Sequence, residues 1–257
     1  RDISTSRNIF HQILLYLLYK KNSKLIINTK KIKNSFSGQR CFILFTGTSV
    51  KDFDSELIGN EKVIASGLAF LQKNFYKCNT VAYFNPASWE PRSLLFFDFL
   101  ASSIYKNTNH GCNVFFDTTS KPYIKEVLSS RVDDTYYISN NANYISNQDI
   151  EYNLHKFNNI QEGSLSCGLG IAAYMGFKEI YLLGADFLAN PLVYGHFYDG
   201  FHEVGNPSDY ESYRERASWM IRHIEEKGCK VINVIKDEKQ TSLINSVTFK
   251  ELKDCLG

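Results

Sequence analysis

The chain has 257 residues, 44% hydrophobic and 22% charged, with a net charge of +2. That balance suits one large α/β domain, or one domain with an appendage, and excludes a disordered or fibrous chain. The near-neutral charge makes no case for nucleic acid, and no run of roughly 18 apolar residues offers a membrane-spanning helix.

Residues 9–19 (IFHQILLYLLY) predict an apolar helix ending at Lys20, Lys21 and Lys24. Such a helix suits packing on the domain, an oligomer contact, or a membrane surface. Residues 29–40 (TKKIKNSFSGQR) read as a basic linker. The expected division is therefore an N-terminal helix and linker over 1–40 and the domain proper over 41–257.

Residues 41–45 (CFILF) predict a buried strand, and the small-residue turn Thr46-Gly47-Thr48-Ser49 follows. A first strand ending in a Gly/Ser/Thr turn is a usual phosphate or ribose loop. Neither G-x-G-x-x-G nor G-x-x-x-x-G-K-[ST] is present. Further strands are expected over 63–65, 80–84, 113–116, 135–138, 180–183 and 230–235. Helices are expected over 92–106, 123–128, 169–174, 209–227 and 249–256, and an Asn-rich loop over 139–159. The third strand ends at Asn85-Pro86, and the residue before a proline is held extended. Asn85 thus suits either a ligand-facing strand tip or a plain turn.

The stretch from Gly163 to Tyr194 reads as loop, helix, strand, loop. Gly163, Ser164 and Ser166 carry cap chemistry ahead of an apolar helical run, and Gly176 ends it. The run 180–183 (IYLL) then delivers Gly184-Ala185-Asp186 at a strand tip. Open α/β sheets bind ligands at strand carboxyl ends and helix amino ends. Residues 187–208 lack a period and are rich in glycine, proline and aromatics, which predicts an ordered lid. His196 and His202 lie in it; His202 suits the general base and His196 a phosphate-side or structural place, with two solvent-facing loop histidines as the alternative. With Asp199 and Glu203 they match no common metal spacing, so no metal and no cofactor is expected.

Asp52-Phe53-Asp54 is a formal D-x-D, but it follows the first turn instead of tipping a middle strand. The cysteines at 41, 78, 112, 167, 229 and 255 form no C-x-x-C. Buried thiols in a reducing compartment are the simpler reading. That implies a cytoplasmic protein, at the inner face of the membrane if the N-terminal helix lies there.

Four segments together resemble one family. Residues 42–54 resemble a first strand and turn usually written G-N-G-P-S-L-K. Residues 82–86 (AYFNP) resemble a strand ending in Asn-Pro. Gly163 to Phe187 resembles a Ser-Gly helix start followed by K-E-I-Y-L-x-G-x-D-F. The lid, the helix after it and residues 230–233 (KVIN) resemble the family's close. The chain from about residue 40 onward is similar to the bacterial lipooligosaccharide sialyltransferases, glycosyltransferase family 42. It also looks like the broader pterin-diphosphokinase-like (MptE-like) sugar-transfer proteins. The resemblance implies a single Rossmann-like α/β domain, a variant of the GT-A arrangement. Its sheet would be mainly parallel, with helices on both faces and a lid. It implies a CMP-activated donor and no metal. Thr46, Gly47, Thr48 and Ser49 fall on the nucleotide turn, and Asn85 on an Asn that contacts the donor. Ser164, beside Gly163, falls on a Ser at the phosphate end, Tyr194 on a Tyr that bonds the leaving phosphate, and His202 near the base. The chain departs at Thr46 (Asn in the family), Thr48 (Pro), around Gly67 (Asn) and Leu188 (Tyr). It also lacks an Arg just before Gly163, where Lys156 is the nearest cation.

The leading expectation is a metal-independent inverting glycosyltransferase. It would move a sialic-acid-like or Kdo-like sugar to a hydroxyl of a surface glycan or lipid-linked oligosaccharide. Two other readings fit the same residues: a diphosphotransferase of the pterin-like group, or a nucleotide-sugar-binding module without activity.

Overall fold

The computed structural model describes residues 26–85, 112–117, 135–138, 153–155 and 163–256, together with Leu17, Lys20 and Ser23. The helices expected over 92–106 and 123–128 lie outside the described residues, as do most of the helix over 9–19 and most of the loop over 139–159.

Short apolar and aromatic runs form the sheet. They are β1 (Arg40–Leu44), β2 (Lys62–Ser66), β3 (Asn79–Asn85), β4 (Asn113–Asp117), β5 (Thr135–Ile138) and β6 (Glu179–Leu183). They are buried along nearly their whole length in β1 to β3 and in alternation at the β5 edge. The lid adds β7 (Ala189–Asn190), β8 (Leu192–Tyr194) and β9 (Glu203–Gly205); the C-terminal part adds β10 (Lys230–Ile235), β11 (Thr241–Ser242) and β12 (Ser246–Thr248). Eight strands form one sheet in the order β12-β10-β6-β1-β2-β3-β4-β5. Every pairing in it is parallel. Parallel sheets need both faces covered. One face buries Ile43, Ile64, Phe84 and Leu182 under α1 (Ser164–Met175) and α2 (Glu211–Glu226). The other buries Phe42, Leu44, Tyr83 and Val234 under 3-10 turns and α3 (Phe249–Leu256). This is the expected Rossmann-like α/β architecture.

Four local expectations change. Ser164 does not cap α1: the cap position is Gly163 at φ 118°, without a side-chain hydrogen bond. The last strand of the sheet is β12, a three-residue edge strand, not β10. The stretch read as a linker folds onto the domain. Thr29 and Ile32 are buried, the Phe36 ring stacks on Phe177 at 5.0 Å, and the amides of Asn34, Phe36 and Gly38 bond the carbonyls of Tyr174, Met175 and Gly176. Finally, the stretch read as aperiodic lid contains an antiparallel hairpin, β8 with β9.

The sheet order sets the position of the site. From β1 the chain moves outward through β2, β3, β4 and β5, then returns to place β6 on the opposite side of β1. The carboxyl ends of β1 and β6 therefore flank a topological switch point, where doubly wound sheets bind ligands. Both covering helices start at that same edge. The end of α1 is tied to the other edge, since Gly38 N–H bonds the Gly176 carbonyl at 3.1 Å. The end of α2 lies there too: Lys178 Nζ reaches the Lys227 carbonyl at 3.4 Å.

Candidate functional site

The loop after β1 and the tip of β6 meet through one carboxylate. Asp186 is 8% exposed. Its Oδ2 accepts from Ser49 N–H at 2.9 Å and Thr48 Oγ1 at 3.0 Å, and its Oδ1 accepts from Ser49 Oγ. A carboxylate accepting three hydrogen bonds fixes the loop that supplies them. The main chain reinforces it: Phe45 N–H bonds the Leu183 carbonyl at 2.8 Å and Gly47 N–H the Gly184 carbonyl at 3.1 Å. This approach needs two glycines. A Cβ on Gly47 would stand 2.4 Å from the Gly184 carbonyl oxygen and 2.7 Å from the Asp186 carboxylate. Gly184 sits at φ 75°, where a side chain is strained, and a Cβ there would stand 2.4 Å from Val50.

The lid closes onto this clasp from above. Gly47 and His196 form an antiparallel bridge. Phe197 N–H bonds the Thr46 carbonyl at 2.9 Å, and His196 Nδ1 lies 2.8 Å from Thr46 Oγ1. The His196 ring stacks on Tyr198 at 5.0 Å. Burial, and then the neighbouring Asp199 carboxylate, raises the Tyr198 pKa, so its hydroxyl stays protonated. Tyr194 ends β8, paired with Glu203, where the hairpin's connecting loop begins. Its ring covers Gly205, where a Cβ would fall 1.5 Å from Cε2, and packs on Tyr210 at 4.6 Å. His202 is exposed, just before β9.

The structure thus brings Thr46, Gly47, Thr48, Ser49, Asp186 and His196 into direct contact. Asn85 ends β3 at the same edge, two strands from β1, or about 10 Å by strand spacing. Gly163 and Ser164 open α1 at that edge as well. Thr48 and Ser49 turn their donors inward onto Asp186. Leu188 is fully buried in the core. The D-x-D carboxylates do not converge: Asp52 pairs with Lys236 at 2.7 Å, and Asp54 caps the next turn through Glu56 N–H. Among the described residues, no three His, Cys, Asp or Glu side chains lie together as a metal site requires, and no helix is long and apolar enough to cross a membrane.

Sequence reasoning missed Tyr210 and Gly205, which seat Tyr194, and Arg214 one turn further along. The available signal was a tyrosine just ahead of an amphipathic helix, which alone points to packing.

No protein-family model matches the chain, and no curated protein does. Among solved structures, the chain is similar to the MAf glycosyltransferase from Magnetospirillum magneticum AMB-1, with a TM-score of 0.51 and 14% identity. The match covers 87% of this chain and 37% of that one, so the chain spans little more than a third of its neighbour's length. At that identity the likeness is one of fold.

Proposed function

We propose that the chain is a glycosyltransferase that moves a sugar from a nucleotide-activated donor, CMP-linked and sialic-acid-like or Kdo-like, to a glycan hydroxyl. One observation carries the reading: a preorganised loop at the switch point, held by Asp186 and roofed by a hairpin bearing His196 and His202. The fold shared with a glycosyltransferase supports it, as does the resemblance of the K-E-I-Y-L-x-G-x-D-F segment.

In this reading Thr46, Gly47 and Asn85 face the nucleotide, while Thr48, Ser49 and Asp186 hold the loop in shape. Gly163 and Ser164 present the free amides of the α1 start to the phosphate. Tyr194 donates to the leaving phosphate. His202, exposed at the start of the return strand, takes the proton of the acceptor hydroxyl as its oxygen attacks the anomeric carbon. The bond to phosphate breaks and its electron pair leaves with the nucleotide. His196, bonded to Thr46, clasps the lid. A roof over the donor matters because water competes with the acceptor. The acceptor would be a surface glycan or lipid-linked oligosaccharide. The N-terminal segment would bring the enzyme to a membrane surface or to a second copy. The engaged state of Asp52 and Asp54 favours transfer without a metal.

Calorimetry with CMP, CDP, UDP and ATP, with and without EDTA, tests the donor class. The proposal expects CMP or CDP to bind in EDTA, and saturation at about 100 times Kd to add roughly 2.7 kcal/mol of stability. Binding of ATP alone, and only with Mg2+, contradicts it. His202→Ala should then lower turnover about 10²- to 10⁴-fold with donor affinity nearly kept.

A further inference from the structure

Arg214 is the fourth residue of α2. Its Nε is inaccessible to solvent and has no hydrogen-bond partner. No ion pair among the described residues includes it. The acids beside it on the helix, Glu211 and Glu215, are exposed and do not engage it. Of the buried unpartnered polar atoms among the described residues, the Arg214 Nε is the one on a charged group. A guanidinium half out of water with an unmet donor is costly to keep, unless an anion meets it in the working state.

Its position says which anion. Ala217, Ile221 and Ile224 form the stripe of α2 that is buried in the core, and Arg214 stands one turn before Ala217 on that stripe. Tyr210 stands one turn earlier still, with its ring against Tyr194. Arg214 therefore ends the buried stripe at the amino end of α2, the end that opens on the carboxyl edge of the sheet, one turn from the Tyr210 ring that packs on Tyr194. We propose that Arg214 is a binding residue for the donor's anionic group, either the phosphate that leaves with the nucleotide or the carboxylate of an acidic sugar. The assignment rests on the donor reading above. It adds a charged, forked donor to a site whose other donors are neutral.

Calorimetry with cytidine, CMP and CMP-N-acetylneuraminic acid, on the parent, Arg214→Gln and Arg214→Lys, tests it beside the melting temperatures of the unliganded proteins. Arg214→Gln should melt at or above the parent, because it removes a cost, not a bond. Cytidine should bind the parent and both variants alike. CMP should bind Arg214→Gln about 10- to 100-fold more weakly, with Arg214→Lys in between because it keeps charge without the fork. If CMP is unaffected and only the CMP-linked acid weakens, the partner is the carboxylate. Equal affinity of all three ligands for the parent and Arg214→Gln overturns the assignment. So does a lower melting temperature with equal losses for cytidine and CMP, which marks a structural arginine. A parent that binds none of the three overturns the donor reading, and this inference with it.

Discussion

Two stretches meet at one edge of the sheet and are built in opposite ways. The clasp, from Thr46 to Ser49 and Gly184 to Asp186, has no spare room. A single added Cβ on Gly47 or Gly184 would stand 2.4 Å from its neighbour. The lid hairpin leaves Phe201 63% and Val204 69% exposed. It meets the loop after β1 at the Gly47–His196 bridge, which carries the hydrogen bond from Phe197 N–H to the Thr46 carbonyl, and at the Thr46–His196 side-chain pair. The difference matches the two tasks that the proposed function would require. A donor site must be preorganised, because ordering it during reaction raises the barrier. A cover must open to admit substrates and release product. Low-stability elements are where such motion is found.

This contrast can be broken at the clasp with the largest effect. Asp186→Ala leaves the Ser49 amide and two hydroxyls without their acceptor, and should cost about 3 kcal/mol in urea unfolding. Nucleotide binding should be lost with it. A loss under about 1 kcal/mol would show that Asp186 holds nothing. Gly184→Ala comes next. It forces a side chain into left-handed backbone against Val50, and about 2 kcal/mol should go. At the seam between the two regions, Thr46→Val removes the partner of His196. Limited proteolysis within 195–202 should speed up roughly fivefold, with the melting temperature nearly unchanged. An equal rise in cleavage of the clasp would mean that the two regions open as one. The smallest effect belongs to the lid surface. Val204→Ser should leave stability within about 0.5 kcal/mol of the parent, and a larger loss would place Val204 in a packed interface.

Much of this contrast was legible in the amino-acid order, though unevenly. β1 and β6 announce themselves as short apolar runs ending in glycine, since strands buried on both faces lose the alternating pattern. The candidate loops were found because small residues follow those runs. Their contact was not legible. Ser49 and Asp186 lie 137 residues apart, and only the placement of β6 beside β1 brings them together. The stretch at 29–40 misled because its lysines dominate the composition. The buried positions Ile26, Thr29 and Ile32 recur every third residue, which is the period of the 3-10 turn observed there. β12 escaped because a three-residue edge strand has too few positions to show a pattern. Arg214 was hidden for another reason. In ESYRERAS it is one of several alternating charges, and its buried, unpartnered Nε distinguishes it from the equally half-buried Arg216, which lies over the Tyr213 ring at 4.7 Å.

The central claim is that a nucleotide sits on the clasp and the lid closes over it. Hydrogen-exchange mass spectrometry of the parent, with and without CMP at about 100 times Kd, tests it most directly. The account predicts that amides over 195–205 slow by up to about a hundredfold. Those over 45–50, already bonded across the clasp, should change little beyond residues 46 and 47. Bound CMP that leaves 195–205 unchanged and instead protects β12 and α3, on the far flank of the sheet, would contradict it.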